Sequence, residues 1–227
     1  MITTVVFDLD DTLYPELDYC RSGLRCVSSH VAALSDRHDR DRVFGILWKH
    51  FTAGNRTHTF NAALDELGIP YDADLIGKFV EVYRTHVPTI TLPVETRRTL
   101  DELARTYTLA LLTDGFLPAQ KLKVRALTTE NDFHAIVYTE ELGRQFWKPS
   151  PRGFQTLMDE LRVAPSQAAY VADNELKDFI APNDLGFATI QLLRPDRLHI
   201  GTSDRPNAAA GHRIHEIMQL PSLLRQL

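Results

Sequence analysis

The sequence predicts an α/β fold in which a parallel-sheet core is interrupted by an all-helical insertion. The first observation is a short β-branched run at residues 2–7, which is typical of a buried strand. The second is that residues 17–83 carry only helical patterns, with apolar side chains at steps of three and four. The third is the alternation of strand and helix patterns after residue 107, which favours parallel strands joined by right-handed crossovers. We therefore expect a core built from residues 1–16 and 91–227 and a helical domain built from residues 17–90.

The individual elements follow from the same patterns. The insertion is predicted to hold four helices, at residues 17–35, 41–51, 58–68 and 73–86. A connector punctuated by prolines at residues 87–95 then leads back into the core. Predicted strands follow at residues 107–113, 135–141, 168–174 and 187–193, with helices between them at residues 118–128, 151–163 and 175–186. After a loop at residues 201–212, the last residues predict a short strand and a closing helix.

The composition limits the class of protein. Of the 227 residues, 44% are hydrophobic and 24% are charged, which is ordinary for a globular protein and argues against disorder. The net charge of −5 provides no general positive field for nucleic acid or for an anionic membrane, so small-molecule partners are favoured. The first residues lack a basic segment before a long apolar run, and no stretch approaches a membrane span, so we expect a cytoplasmic protein. Monomer and homodimer both stay open.

Three carboxylates, Asp8, Asp10 and Asp11, crowd directly behind the first predicted strand. In water-like surroundings their repulsion costs about 1 kcal/mol each, and more where the dielectric constant is lower. A bound divalent cation such as Mg²⁺ would offset that cost, because it prefers oxygen ligands. The alternative is a solvated acidic turn, and these three residues alone do not decide between the two.

Polar residues also follow two later predicted strands, and ligands of open parallel sheets bind at such carboxyl ends. The segment TDG at residues 113–115 ends one strand, Asp173 ends another, and Asp178 follows about one turn later. Lys148 lies between them in the segment KPSPRGF. The segments FDLDDTL, LLTDG, KPSPRGF and VADNELKDF occur in this order, and through them the chain resembles the haloacid dehalogenase superfamily of aspartate-nucleophile hydrolases over nearly its whole length.

The resemblance implies a Rossmann-like core of three layers, α/β/α, and identifies the insertion as a helical cap that closes over the substrate. It further implies that Asp8 is the nucleophile, which attacks phosphorus and forms an aspartyl-phosphate. Asp10 would act as the general acid and base, which requires a pKa raised toward neutrality by its acidic neighbours. Magnesium is the implied cofactor, held by Asp8, by the Asp10 carbonyl and by Asp173, with Asp178 supporting the metal shell.

The remaining motif residues are implied to bind the phosphoryl group. Thr113 and the backbone of Asp114 and Gly115 would contact its oxygens, and Lys148 would supply a positive charge. Thr12 is expected to order the first loop. The Asp114 carboxylate stands where the resemblance leads us to expect an asparagine. It therefore either turns away to accept hydrogen bonds from the loop or selects a substrate with a donor or a cation nearby.

The acid at position 10 separates the activities found in this superfamily. A phosphatase needs a proton donor for its leaving alkoxide, whereas the resemblance implies an aromatic residue at this position in a haloacid dehalogenase. The expected activity is therefore magnesium-dependent hydrolysis of a small phosphorylated metabolite, such as a sugar phosphate or a nucleotide. A phosphomutase shares every motif and stays an alternative. A haloacid dehalogenase is disfavoured, as is an inactive binding module, because Asp8, Asp10 and Lys148 are all present.

Other residues have two interpretations each. In the predicted cap, Arg56 and His58 are candidates for contacting the leaving group, or they belong to a solvated loop between helices. Tyr14 and Trp147 flank motif residues, so each would either line the pocket or pack in the core. The run TDGF with Gln120 and Lys123 behind it is similar to nucleotidase-like and sugar-phosphate branches of the superfamily, and it does not name a substrate.

Overall fold

The computed structural model describes residues 1–34 and 37–227, and at its centre lies one six-stranded sheet. The strands are β1 (Thr4–Phe7), β2 (Thr108–Thr113), β3 (Ala135–Tyr138), β4 (Ala168–Ala172), β5 (Ala188–Leu192) and β6 (His212–Ile214). Their order in the sheet is β3-β2-β1-β4-β5-β6, and every neighbouring pair is parallel. The predicted α/β class is confirmed, with β1 inside the sheet between β2 and β4.

Four helices follow β1 in succession: α1 (Glu16–Ala32), α2 (Arg40–Thr52), α3 (Thr59–Leu67) and α4 (Ala73–Thr85). The core helices are α5 (Val94–Leu103), α6 (Ala119–Ala126), α7 (Thr139–Leu142), α8 (Arg152–Leu161), α9 (Ile180–Leu185) and α10 (Leu220–Leu224). The helix predicted at residues 17–35 reaches a residue that lies outside the described ones. Among the helices of the described residues, none combines the length and the apolar character that crossing a membrane requires.

The central strand is buried because helices cover both faces of the sheet. Successive side chains of a strand point to opposite faces, so Val5 and Phe7 share one face and Val6 points to the other. Val5 and Phe7 belong to a cluster with residues of α5, α6 and α10, and Val6 belongs to a cluster with residues of α8 and α9. All three side chains are fully buried. The sequence of a parallel strand that is buried on both faces is therefore continuously apolar and does not alternate between apolar and polar residues.

Helices α1 to α4 bury a hydrophobic cluster of their own. It contains Leu24 and Val27 from α1, Leu47 from α2, Leu64 from α3 and Phe79 from α4. The apolar residues at three- and four-residue steps meet inside this cluster, because such spacing puts them on one face of each helix. The division of the chain into a core and a helical domain, with its boundaries at residues 16 and 91, stays a prediction.

Three elements differ from their sequence-based prediction. Helix α5 is absent from the prediction, because its sequence is rich in charge and only Leu100 and Leu103 of its apolar residues are buried. The strand predicted at residues 135–141 ends at Tyr138, where α7 begins. The helix predicted at residues 175–186 forms only as α9. The residues before α9 make turns in which the Asp178 carboxylate accepts a hydrogen bond from the Asn174 N–H at 3.0 Å.

Gly23 in α1 is tightly packed against α4, since a Cβ added to it would stand 2.5 Å from Tyr83 Cε2. We expect Gly23→Ala to lower the free energy of unfolding by about 1–3 kcal/mol, because overpacking outweighs the gain in helix propensity. The matched control is Gly45→Ala in α2, where nothing lies within 4 Å of the added Cβ. It should raise the free energy of unfolding by about 0.5–1 kcal/mol. Urea denaturation followed by circular dichroism measures both, and stabilisation by both variants would contradict the close packing of α1 on α4.

Candidate active site

Asp8, the nucleophile candidate, is the first residue after β1. Its backbone N–H donates to the Val171 carbonyl at 2.9 Å, which continues the sheet by one residue. Lys148 Nζ donates to Asp8 Oδ1 at 2.6 Å and lies 2.7 Å from Asp178 Oδ1. Burial alone would lower the pKa of Lys148, but the charges of Asp178 and Asp8 hold it well above its usual value. Lys148 is therefore a buried ammonium that stays charged between two carboxylates.

Asp173 completes a cluster of three carboxylates with Asp8 and Asp178. One oxygen from each residue lies within 4.8 Å of the others. Asp173 Oδ2 is buried and has no hydrogen-bond partner among the described residues. Burial, together with the charges of Asp178 and Asp8, raises the pKa of Asp173 to about 9. An orphaned oxygen in a set of hard anionic donors fits a divalent cation such as Mg²⁺, which would stabilise the ionised carboxylates.

Asp10 is held by three side chains. Tyr14 OH donates to its Oδ1 at 2.5 Å, and Gln120 Nε2 donates to its Oδ2 at 2.9 Å. Lys123 Nζ lies 2.9 Å from Oδ1 and 2.8 Å from Oδ2. Burial would raise the pKa of Asp10, but the charge of Lys123 and these hydrogen bonds leave it below its usual value. The prediction that acidic neighbours raise this pKa toward neutrality is wrong for this arrangement, because a buried cation contacts the carboxylate directly.

The contacts of Gln120 and Lys123 with Asp10 were not predicted from the sequence. Both lie on α6 and are separated by three positions, so they share one face of the helix. Gln120 Nε2 also donates to Thr113 Oγ1 at 2.7 Å and to the Asp114 carbonyl at 2.8 Å. Its spacing from Lys123 was visible in the sequence, but nothing there showed that α6 packs against the loop after β1.

The loop after β2 carries the predicted phosphate-binding residues. The Asp114 carboxylate accepts a hydrogen bond from Thr139 Oγ1 at 2.7 Å and another from the Lys148 N–H at 3.0 Å. The side chain is therefore turned away into the protein, as the first of the two alternatives for Asp114 predicts. Gly115 has a φ of 139°, and a Cβ there would stand 2.8 Å from Gln120 Cδ. This turn therefore requires glycine.

The candidate residues meet around a pocket of about 300 Å³. Its wall includes Asp8, Asp10, Asp114, Gly115, Lys148 and Asp173, together with Glu16, Trp147, Asn174, Lys177 and His199. Two further candidates, Thr113 and Asp178, are buried and are not wall residues. Thr12 is also buried, and its hydroxyl has no hydrogen-bond partner among the described residues, so no hydrogen bond supports its predicted ordering role.

A larger cavity of about 530 Å³ adjoins this pocket, and residues such as Asp10 and Gly115 line both. Arg56 lines the larger cavity, whereas His58 is exposed and lines neither. Trp147 lines the smaller pocket. Tyr14 is fully buried and contacts Asp10 instead. The larger cavity lies between α1 to α4 on one side and α6 on the other, because its wall takes residues from all five helices.

A late loop of the chain also reaches the site. The Asp11 carboxylate accepts hydrogen bonds from the Glu16 N–H at 2.8 Å and from the Leu198 N–H at 2.6 Å. Asp11 is thus a structural residue that joins the first loop to the start of α1 and to the loop after β5. His199 Nε2 lies 3.7 Å from Glu16 Oε2, and both residues line the pocket. No local pattern predicts these contacts, since 187 positions separate Asp11 from Leu198.

A family model for haloacid dehalogenase-like hydrolases matches residues 2–186. A parallel sheet with acidic residues at the carboxyl ends of β1 and β4 agrees with that match. The chain belongs to the haloacid dehalogenase-like hydrolases, and the resemblance stated from its sequence motifs is confirmed.

Individual proteins to which the chain is similar share less than a third of its residues. The chain is 28% identical over 203 residues to the glyceraldehyde 3-phosphate phosphatase of Methanopyrus kandleri, a match that covers 86% of this chain and 85% of that protein. The fold is similar to that of the putative hydrolase YfnB from Bacillus subtilis bound to magnesium, at 20% identity and a TM-score of 0.71, covering 98% of each chain. It is also similar to that of the 2-haloacid dehalogenase from Pseudomonas syringae, at 24% identity and a TM-score of 0.66, covering 100% of this chain and 99% of that one.

The contacts of Asp114 predict a structural role for its carboxylate. We expect Asp114→Asn to lower the free energy of unfolding by about 1.5–3 kcal/mol. The side-chain amide of Asn can accept from only one of the two donors, Thr139 Oγ1 and the Lys148 N–H, and its NH₂ group would face the other. Hydrolysis of a small phosphate ester should change by less than tenfold in kcat/KM. Asp159→Asn, on the exposed surface of α8, makes the same change of charge and serves as the control. A larger loss of kcat/KM with an unchanged melting temperature would show instead that Asp114 acts on the substrate.

Proposed function

We propose that the protein is a magnesium-dependent phosphatase that hydrolyses a small phosphate monoester through an aspartyl-phosphate. The observation that carries the proposal is that Asp8 and Asp10 line the same pocket. Lys148 donates a hydrogen bond to Asp8, and Asp8 also belongs to the cluster of three carboxylates. Membership of a hydrolase family supports it, as does the similarity to an enzyme named as a phosphatase.

Asp8 would attack phosphorus with a carboxylate oxygen, so that an Asp8–phosphorus bond forms while the bond to the leaving alcohol oxygen breaks. Lys148 would hold the Asp8 carboxylate in place through its hydrogen bond of 2.6 Å and would offset negative charge on the phosphoryl oxygens. Thr113 and the backbone at Asp114 and Gly115 would bind those oxygens from the side of β2. Each of these roles is a proposal for the residue named.

The carboxylate cluster of Asp8, Asp173 and Asp178 fits magnesium. Asp8 and Asp173 would hold the ion together with the Asp10 carbonyl, and Asp178 would support the shell. When bound, it would neutralise charge between the carboxylates and the substrate oxygens. Asp8 and Asp173 would keep their ionised form, and Asp178 would keep its contact with Lys148.

Asp10 would give a proton to the leaving alkoxide and later take one from the water that releases phosphate from Asp8. In the structure its carboxylate favours the ionised form, which suits the second of these steps. For the first step Asp10 must carry a proton, and a phosphate dianion placed beside it would favour that form by repulsion. Lys123, Gln120 and Tyr14 would orient the carboxylate in both steps.

Helices α1 to α4 would act as a cap over the substrate, because they form one wall of the larger cavity beside the pocket. The relative's name suggests a small phosphorylated metabolite as substrate. A haloacid dehalogenase has no use for an acid such as Asp10, and no observation favours a phosphomutase over a phosphatase. A cytoplasmic location and a monomeric or homodimeric state stay predictions.

The proposed function is tested by release of inorganic phosphate from a panel of phosphate monoesters and from acetyl phosphate. We expect turnover with Mg²⁺, and we expect its loss on chelation and in Asp8→Asn, because an amide is too weak a nucleophile to attack phosphorus. Asp184→Asn, which neutralises an exposed carboxylate on α9, should retain activity. Turnover that persists in Asp8→Asn or with a chelator would refute the mechanism.

The proposed role of Asp10 as general acid is tested by varying the basicity of the leaving group. We expect Asp10→Asn to lower kcat for alkyl phosphates by about 10²–10⁴-fold, which is typical of a lost general acid or base. The loss should be smaller for p-nitrophenyl phosphate, because its leaving group departs without a proton. Melting temperatures must accompany the rates, since the variant leaves buried Lys123 without its counter-charge. An equal loss for both kinds of ester would exclude Asp10 as the acid.

A further inference from the structure

The larger cavity beside the site has the walls of a binding pocket for an apolar group. Its volume of about 530 Å³ lies in the range of about 300–1,000 Å³ that is usual for ligand pockets. The wall includes the aromatic rings of Phe51, Phe60, Tyr83 and Phe116. Ile76 and Val80 of α4 add aliphatic surface. Because Asp10 and Gly115 line this cavity as well as the pocket, a substrate with its phosphate at Asp8 would extend its alcohol half into this space.

The hydroxyl groups of Tyr19 and Thr59 on this wall are already engaged inside the protein. Tyr19 OH donates to the Tyr83 carbonyl at 3.1 Å, and Thr59 Oγ1 donates to the Asn55 carbonyl at 2.5 Å. Both hydroxyl groups therefore donate to backbone carbonyls of the protein and are not free to donate to a ligand. A sugar or a polyol placed here would lose hydrogen bonds to water at its hydroxyl groups without regaining them from these residues. Each unmatched group costs about 1–3 kcal/mol.

The donors nearest to the pocket are occupied too. Lys123 contacts both oxygens of Asp10, and Gln120 Nε2 is shared among Asp10, Thr113 and the Asp114 carbonyl. Using either side chain for a substrate hydroxyl would disturb the carboxylate that is proposed to act as acid and base. Gln120 and Lys123 therefore offer a polyhydroxylated alcohol no free donor.

The two arginines of the cavity wall lie close to aromatic rings of the same wall. Arg84 Cζ lies 3.4 Å from the centroid of the Phe116 ring, and Arg56 Cζ lies 5.6 Å from that of Phe51. Guanidinium planes stack on aromatic rings in such positions. At these distances the stems and guanidinium groups of both arginines add to the aromatic wall.

Resting on the phosphatase function proposed above, we propose that the substrate is a phosphate monoester whose alcohol half carries an apolar or aromatic body. A triose or another small polyol would fill little of the cavity and would meet the engaged donors of Tyr19, Thr59, Gln120 and Lys123 there. This substrate class differs from the one in the name of the Methanopyrus kandleri relative, whose substrate is a small hydroxylated phosphate.

The test compares two primary alkyl esters, 3-phenylpropyl phosphate and glycerol 1-phosphate, with the full-length protein and Mg²⁺. We expect kcat/KM for 3-phenylpropyl phosphate to be at least tenfold higher, through a lower KM. Equal values, or a preference for glycerol 1-phosphate or ribose 5-phosphate, would overturn the proposal. Because both leaving groups are primary alcohols, their need for protonation is similar and the comparison reports on the cavity.

A wall variant tests where the preference arises. Val80→Asn places a polar group on the cavity wall and should reduce the preference for 3-phenylpropyl phosphate by about tenfold, through a higher KM. The matched control is Val87→Asn, at a residue that is 81% exposed and does not line the cavity, and it should keep the full preference. A preference that Val80→Asn leaves unchanged would contradict this binding site. If Val80→Asn does not fold, the comparison of esters with the unaltered protein decides alone.

Acetyl phosphate separates failure of this proposal from failure of the proposed function, because it has no body to occupy the cavity. Hydrolysis of acetyl phosphate that depends on Asp8, together with a preference for polyol phosphates, would overturn only the substrate class. No turnover of acetyl phosphate or of any ester would overturn the phosphatase function, and the substrate class with it.

Discussion

The buried charge of Lys148 is the interaction on which the arrangement of the site depends. Asp8, Asp173 and Asp178 bring three carboxylates together where the dielectric constant is low, and their repulsion would otherwise oppose folding. The Lys148 ammonium reaches Asp8, Asp178 and the Tyr170 hydroxyl at 2.6–2.9 Å. It therefore balances part of the charge without a metal ion. Among the described residues no cation contacts the Asp173 carboxylate, and burial raises its pKa to about 9, whereas the pKa of Asp8 is raised only to about 6 and that of Asp178 is lowered.

A second buried lysine, Lys123, contacts the neighbouring carboxylate of Asp10 and has a different effect on its pKa. Asp8 and Asp10 lie two positions apart, yet burial raises the pKa of Asp8 to about 6, whereas Lys123 and the hydrogen bonds from Tyr14 and Gln120 lower that of Asp10. Each aspartate has its own buried lysine, and each lysine comes from a different part of the core. Two carboxylates with distinct surroundings are the usual basis for distinct chemical roles. The parallel order of the sheet makes this possible, because the ends of β1, β2 and β4 lie side by side.

The residues that could be predicted from the sequence are those whose position follows from a strand end. Asp8, Asp114 and Asp173 each follow an apolar run, and parallel strands place such ends at one edge. The contact of Lys123 with Asp10 could not be predicted, because it depends on how α6 packs rather than on any local pattern. The pKa of Asp10 was predicted in the wrong direction for the same reason: acidic neighbours are visible in sequence, and a distant cation is not. Helix α5 was missed because its buried face is short and its exposed face is highly charged.

The backbone of Leu198 connects three parts of the molecule. Its N–H binds Asp11 in the first loop, its carbonyl accepts a hydrogen bond from Arg56 at 3.3 Å, and its side chain packs against the cluster of α1 to α4. The wall of the larger cavity, which Leu198 lines, is thereby tied to a segment that carries none of the four motifs. Insertions or deletions in the loop after β5 would alter this wall while leaving every motif residue in place. Homologues with identical motifs can therefore differ in what they admit, and the length of this loop is the feature to compare first.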